Sequence, residues 1–208
     1  MRYPVAVTVE DELAALHRAG DLQRAATRTI EAYGPEVLGF LARVLRDEDT
    51  ASEVFAQSCE DLWTGLARFE GRASFRTWFY AIAHHAASKF RRSPHERRGR
   101  HESLSEARDA AEQVRTQTLL YLRTEVKDRL STIRESLSAD DQLLLVLRVD
   151  RRLSFRDIAM ILEDTGRLWS PDEQAKVAAR LRKRFQVVKD DIRDRARAAG
   201  LFGDNGHE

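Results

Sequence analysis

Apolar residues recur three and four positions apart along nearly the whole chain, and no stretch alternates apolar with polar as a half-buried strand would. The spacing predicts a first helix from Glu10 to Ala19, ended by Gly20, and a second running from Asp21, a capping residue, toward Tyr33. Gly34-Pro35 then punctuates the pattern. Proline suits the first turn of a third helix, Glu36 to Arg46, with Val37, Leu38, Leu41, Val44 and Leu45 facing inward. Asp49 opens a fourth helix to about Arg68, with Ala51, Val54, Phe55, Cys59, Leu62 and Leu66 on one stripe. Phe69 to Ser74 reads as a loop with Gly71 as its flexible point. Ser74 can cap the helix that follows, Phe75 to Arg92, whose stripe is Phe75, Phe79, Ile82, Ala86 and Phe90.

From Ser93 to Ser103 no large apolar residue occurs, which predicts an exposed linker. Helical spacing resumes near Glu112 and continues to about Glu135 through Leu119, Leu120, Leu122, Val126, Leu130 and Ile133. A helix-turn-helix rhythm follows. Ala139 to Val149 forms an apolar helix, Asp150 to Leu153 a turn, and Ser154 to Asp157 the capped start of a helix with Ile158, Ile161 and Leu162 inside. Ser170-Pro171-Asp172-Glu173 combines a capping box with proline at the first helical position. The helix it opens carries Val177, Leu181, Phe185, Val188 and Ile192 on one face. Lys176, Arg180, Lys183 and Arg184 lie on the other. The expected fold is all-α: two small helical domains, 1–92 and 112–208, joined by a linker at 93–111.

Charge changes the picture through its distribution, because 35 Lys and Arg against 34 Asp and Glu leave a net +1 over 208 residues. Asp47, Glu48, Asp49, Glu53, Glu60 and Asp61 crowd one stretch. Arg91, Arg92, Arg97, Arg98 and Arg100 crowd a second, and Arg180, Arg182, Lys183 and Arg184 a third. Separate acidic and basic blocks suit a protein that meets both a basic protein surface and a polyanion, although solvated helix faces would read the same way. No apolar run reaches the roughly 18 residues of a membrane span, and the N-terminus lacks a secretory pattern. With a single cysteine, Cys59, no internal disulfide can form, so a cytoplasmic protein is expected.

No catalytic constellation emerges. A Gly-rich phosphate loop and a His-Glu-x-x-His pair are both missing, and adjacent His84 and His85 point about 100° apart on a helix. The expectation is a non-enzyme with no cofactor and no metal. Two features point elsewhere. Phe75-Arg76-Thr77-Trp78-Phe79-Tyr80 leaves Trp78 and Tyr80 off the apolar stripe beside Arg76, Lys89, Arg91 and Arg92, a mixture suited to stacking unpaired bases while cations track phosphates. Packing of Trp78 at a helix junction is the plainer alternative. The basic final helix, with Arg182 beside Arg180 and Lys183, suits a recognition helix in a major groove.

Tyr33-Gly34-Pro35 to Leu45, Asp49 to Gln57 and on to Trp63, Arg68-Phe69, and Phe75-Arg76-Thr77-Trp78-Phe79-Tyr80-Ala81-Ile82-Ala83 resemble region 2 of extracytoplasmic-function sigma factors. Leu137 to Arg148, Leu153 to Ala159, and Val177 to Arg184 resemble region 4. The resemblance implies an RNA polymerase sigma factor that binds bacterial core polymerase, at the β′ clamp and β flap, and directs promoter recognition and DNA melting. The clamp contact would fall to Asp49, Glu53, Gln57 and Asp61. Minus-10 recognition would fall to Arg72, Phe75, Arg76, Trp78, Tyr80, His84, Lys89, Arg91 and Arg92. Duplex minus-35 reading would fall to Arg156, Lys176, Arg180, Arg182, Lys183 and Arg184, and an anti-sigma factor is a further implied partner. Residues 163–169, longer than the usual turn of about 3–4 residues, separate the last two helices. The rival readings are a stand-alone helix-turn-helix regulator and an interaction protein that binds polymerase without supporting initiation.

Overall fold

The computed structural model describes residues 7–92, 109–114, 129–162 and 170–200. The regular elements of these residues are all helical, with no strand among them. Two compact units divide the chain, residues 1–124 with 160–164 and residues 125–159 with 165–208.

In the first unit α1 (Val9–Arg18) starts from a capping box, Thr8 and Asp11 each accepting a backbone N–H of the other. It ends at Gly20, whose φ of +76° reverses the chain at no steric cost. Helix α2 (Leu22–Leu45) then runs unbroken for 24 residues. This corrects the expected break at Gly34-Pro35. Proline clashes with the Cβ of the residue before it, and Gly34 has none. Burial on both sides of the proline, by Ala25, Ala26, Ile30, Val37, Leu38, Phe40 and Leu41, outweighs its poor helix propensity.

Helix α3 (Glu48–Gly65) and a 3-10 turn (Leu66–Arg68) lead through the loop 69–74 to α4 (Phe75–Arg92). Helices α2, α3 and α4 pack on one another and α1 lies on α2. Aromatic pairs join them: Phe40 meets Tyr80 edge-on at 5.3 Å and Phe55 tilts onto Phe79 at 6.2 Å. The described part of α5 covers 109–114. Its Val114 lies against Gly34 of α2, where an added Cβ would sit 3.1 Å from a Val114 methyl carbon. The sequence reading opened the second domain at Glu112, but Ala111 and Val114 are buried in the first unit. The linker residues 93–108 and the expected apolar positions Leu119, Leu120, Leu122 and Val126 lie outside the described residues.

The second unit holds α6 (Arg129–Glu135), α7 (Ala139–Leu145), a π-helical turn (Val146–Asp150), α8 (Phe155–Leu162) as far as Ala159, and α9 (Pro171–Ala198). The capping box at Ser170 and Glu173 starts α9 as its sequence predicts, and Ser138 caps α7. Leu137, Leu145 and Val188 form a core with Phe185 and Ile192 against them. The turn 163–169 lies outside the described residues.

Candidate functional site

Helix α3 carries no lysine or arginine. Asp47 caps it by accepting the Thr50 N–H at 2.7 Å, which holds the Asp47 carboxyl below its ordinary value. Ala51, Val54, Phe55, Cys59 and Leu62 fill the inner side, and burial pushes the Cys59 thiol well up. The four residues expected to meet a basic partner are brought onto one outer stripe. Asp49, Glu53 and Asp61 are exposed, Gln57 and Glu60 are half-buried, and together they span about a third of the helix circumference. Gln57 Nε2 donates to Asp61 Oδ1 at 3.0 Å, which orders that end of the stripe.

Helix α4 is turned by about one residue from the expected stripe. Its inner face is Phe75, Thr77, Phe79, Tyr80, Ala81, Ala83 and Ala87, because α2 and α3 both cover it. Two candidate base-contacting residues are therefore core residues. Phe75 is 4% exposed among Leu13, Ala25, Ala26 and Leu66, with the Phe69 ring 4.5 Å away. Tyr80 is fully buried against Phe40. Arg76 is also committed to the protein. Its Nε and Nη2 donate to the two Glu36 oxygens at 2.5 and 2.7 Å, its guanidinium lies 5.8 Å from the Tyr80 ring centre, and Glu36 raises its already high pKa. Arg91 reaches back to the Val44 carbonyl at 2.6 Å, in the last turn of α2. His84 lies off the outer face and is half-buried.

An outward stripe remains. Trp78 is half-buried, its ring 4.8 Å from Phe69 and its six-membered edge over Gly65. Helical spacing puts His85, Lys89 and Arg92 on the same side, all exposed. Arg72 is exposed in the preceding loop and pairs with Glu70. Sequence reasoning missed His85; the signal was its position two turns beyond Trp78. The stripe offers one aromatic face followed by cationic and imidazole groups, a surface that can stack a base and follow its backbone.

In the second unit Lys176, Arg180 and Lys183 are exposed on one line of α9, which spans about 10 Å. Val187, 61% exposed, continues the same line. Arg156 on α8 is exposed and donates to Gln174 at 3.3 Å, linking α8 to α9. Two other expected duplex contacts are exposed but also engage neighbouring side chains. Arg184 makes a bidentate pair with Asp141 at 2.7 and 2.6 Å, tying α9 to α7 and holding the Asp141 carboxyl below its usual value. Arg182 lies 5.5 Å from the Phe155 ring centre, which Arg148 also faces at 4.8 Å.

Among the described residues no group of three or more His, Cys, Asp and Glu side chains gathers as metal ligands. Nor is any described helix long and apolar enough to cross a membrane.

Residues 29–98 match the family model described as Sigma-70 region 2, a span that contains both the acidic face of α3 and the outward stripe of α4. The chain is 31% identical over 133 residues to "RNA polymerase sigma factor YlaC" of Bacillus subtilis, which covers 62% of this chain and 75% of that protein. It is 25% identical over 160 residues to "RNA polymerase sigma-H factor" of Pseudomonas aeruginosa, covering 74% and 82% respectively.

Proposed function

The chain belongs to the sigma-70 family of RNA polymerase sigma factors, in its extracytoplasmic-function branch, and we propose that it uses its two units to grip core polymerase and promoter DNA together. The acidic stripe of α3, Asp49, Glu53, Gln57 and Asp61, docks on the coiled coil of the β′ clamp. The outer stripe of α4, Trp78, His85, Lys89 and Arg92, with Arg72 beside it, holds the melted minus-10 strand. Opening a duplex costs unstacking energy, which an aromatic face and a cationic track partly offset. The second unit meets the β flap and reads the minus-35 duplex through Lys176, Arg180 and Lys183, with Arg156 alongside.

One observation carries this reading. A helix with no basic residue and a helix with an aromatic-cationic outer stripe stand side by side in the unit that the family model matches. A stand-alone operator-binding regulator has no need of the acidic stripe. The chain acts in the cytoplasm with its polymerase and has no catalytic role of its own. An anti-sigma protein that silences it would cover the α3 acids or the α4 stripe, and so would compete with core polymerase.

The test is reconstitution with bacterial core RNA polymerase and run-off transcription from a genomic fragment library. Stable binding with discrete transcripts, and loss of binding in the Asp49→Lys, Glu53→Lys variant, is the expected result. Sequence-specific DNA binding by the chain alone, with none to core polymerase, would establish the stand-alone regulator instead.

A further inference from the structure

We propose that α1 is a positioning strap for the loop 69–74, with Glu10 and His17 as its two fixing points, so that this helix sets the promoter-melting face without touching DNA. The proposal rests on the reading that this loop and α4 hold the melted strand.

The loop has little to hold it in place by itself. Glu70, Gly71 and Arg72 are exposed, and Gly71 has a φ of +68°. Its position is therefore set by its two ends, and α1 grips both. At the entry, His17 Nε2–H donates to the Leu66 carbonyl at 3.0 Å, and the imidazole edge meets Phe69 at 5.6 Å and Phe75 at 6.1 Å. At the exit, Glu10 lies 65 residues from Phe75 in sequence. Its carboxylate accepts the backbone N–H groups of Phe75 at 2.9 Å and Arg76 at 3.1 Å. These are the first two N–H groups of α4, where no intrahelical acceptor exists and the helix dipole favours a negative charge. Tyr33 donates its hydroxyl to the same carboxylate at 2.7 Å, fixing its rotamer from α2.

Helix α4 does not need Glu10 in order to form. Ser74 Oγ already accepts the Thr77 N–H at 3.0 Å, and the Trp78 N–H already bonds the Ser74 carbonyl at 2.9 Å. What Glu10 adds is the register of the first turn of α4 against α1. Trp78 stands one turn further along and leans on Phe69. Releasing either fixing point therefore displaces the aromatic end of the stripe while leaving the acidic face of α3 alone.

The experiment uses full-length Glu10→Gln, His17→Ala and His17→Gln with bacterial core polymerase, on a promoter fragment recovered with the unaltered chain. Open-complex formation is compared on duplex DNA and on the same fragment with a pre-melted minus-10 segment. Glu10→Gln and His17→Ala should lower duplex opening by about tenfold, the order expected for losing a charge-assisted or part-buried hydrogen bond. Core affinity should stay within about twofold, and pre-melted DNA should recover part of the loss. His17→Gln keeps an N–H donor for Leu66 and should behave close to the unaltered chain. Amide hydrogen exchange at Phe75 and Arg76 should rise in Glu10→Gln whatever the promoter. Parallel loss of core binding and opening would overturn the strap in favour of a general folding role. Unchanged opening and exchange in the variants, beside an active unaltered chain, would overturn it alone. No opening by the unaltered chain would remove the functional reading on which it stands.

Discussion

Replacing Arg76 separates a structural from a DNA-contacting role, because the two roles predict opposite phenotypes. The guanidinium donates twice to Glu36, at 2.5 and 2.7 Å, and the two side chains keep only 27% and 24% of their exposure. Fully exposed pairs contribute about 0–1 kcal/mol, whereas removing one partner of a buried pair costs about 3–5. A quarter-exposed pair falls between these limits, and the contact with Tyr80 at 5.8 Å adds about 0.5 kcal/mol. Arg76→Ala should therefore destabilise the first unit by about 2 kcal/mol, leaving the Glu36 carboxylate mostly covered and without its guanidinium partner. With a urea m-value of about 1–3 kcal/mol/M, the midpoint should fall by roughly 1 M. Intrinsic fluorescence of Trp63 and Trp78 follows the transition in that unit. The cycle with Glu36→Gln should return a coupling of about 1–2 kcal/mol. A midpoint unchanged within about 0.2 M, combined with loss of promoter opening, would refute this reasoning and return Arg76 to the DNA-binding set.

Three other outcomes are expected. Gly65→Ala puts a Cβ 3.2 Å from the edge of Trp78, so it should leave core binding intact while slowing promoter opening; opening at the unaltered rate would show that the ring's placement is unimportant. Asp141 has a folded pKa lowered from 3.8, chiefly by Arg184, so its contribution is complete above about 3.8 and fades as pH falls through the lower folded value. The helical signal of the second unit should therefore weaken as pH falls below about 4, and Asp141→Asn should flatten that acid dependence. Finally, Arg180→Ala should reduce the salt slope of duplex binding by about 1. Arg184→Ala should leave the slope unchanged but weaken thermal stability, and equal slopes in the two variants would contradict their separation.

Much of the fold was legible in the chain because local rules governed it. Capping residues and helix-stop glycines act within a few residues, so Gly20, Asp21 and Ser170 mark boundaries wherever the helix goes. The acidic stripe of α3 was legible for the same reason: spacing along one helix places Asp49, Glu53, Gln57 and Asp61 together without help from neighbours. Gly34-Pro35 was misread because proline's local cost is real, and only burial on both sides of it made the continuous α2 the better solution.

The sequence by itself determined that the chain is helical, that its charge is sorted into blocks, and that α3 and α4 each present a polar face. Tertiary structure decided which way those faces turn and which cations remain available. Periodicity locates an apolar stripe, but the rotation of α4 depends on two covering helices, and that rotation buried Tyr80 while leaving the side that carries Trp78 and His85 facing outward. Arg76 and Arg184 look like free cations in the sequence because their acids, Glu36 and Asp141, lie 40 and 43 residues away. Ion pairing depends on distance in space, and only the packed helices supply it.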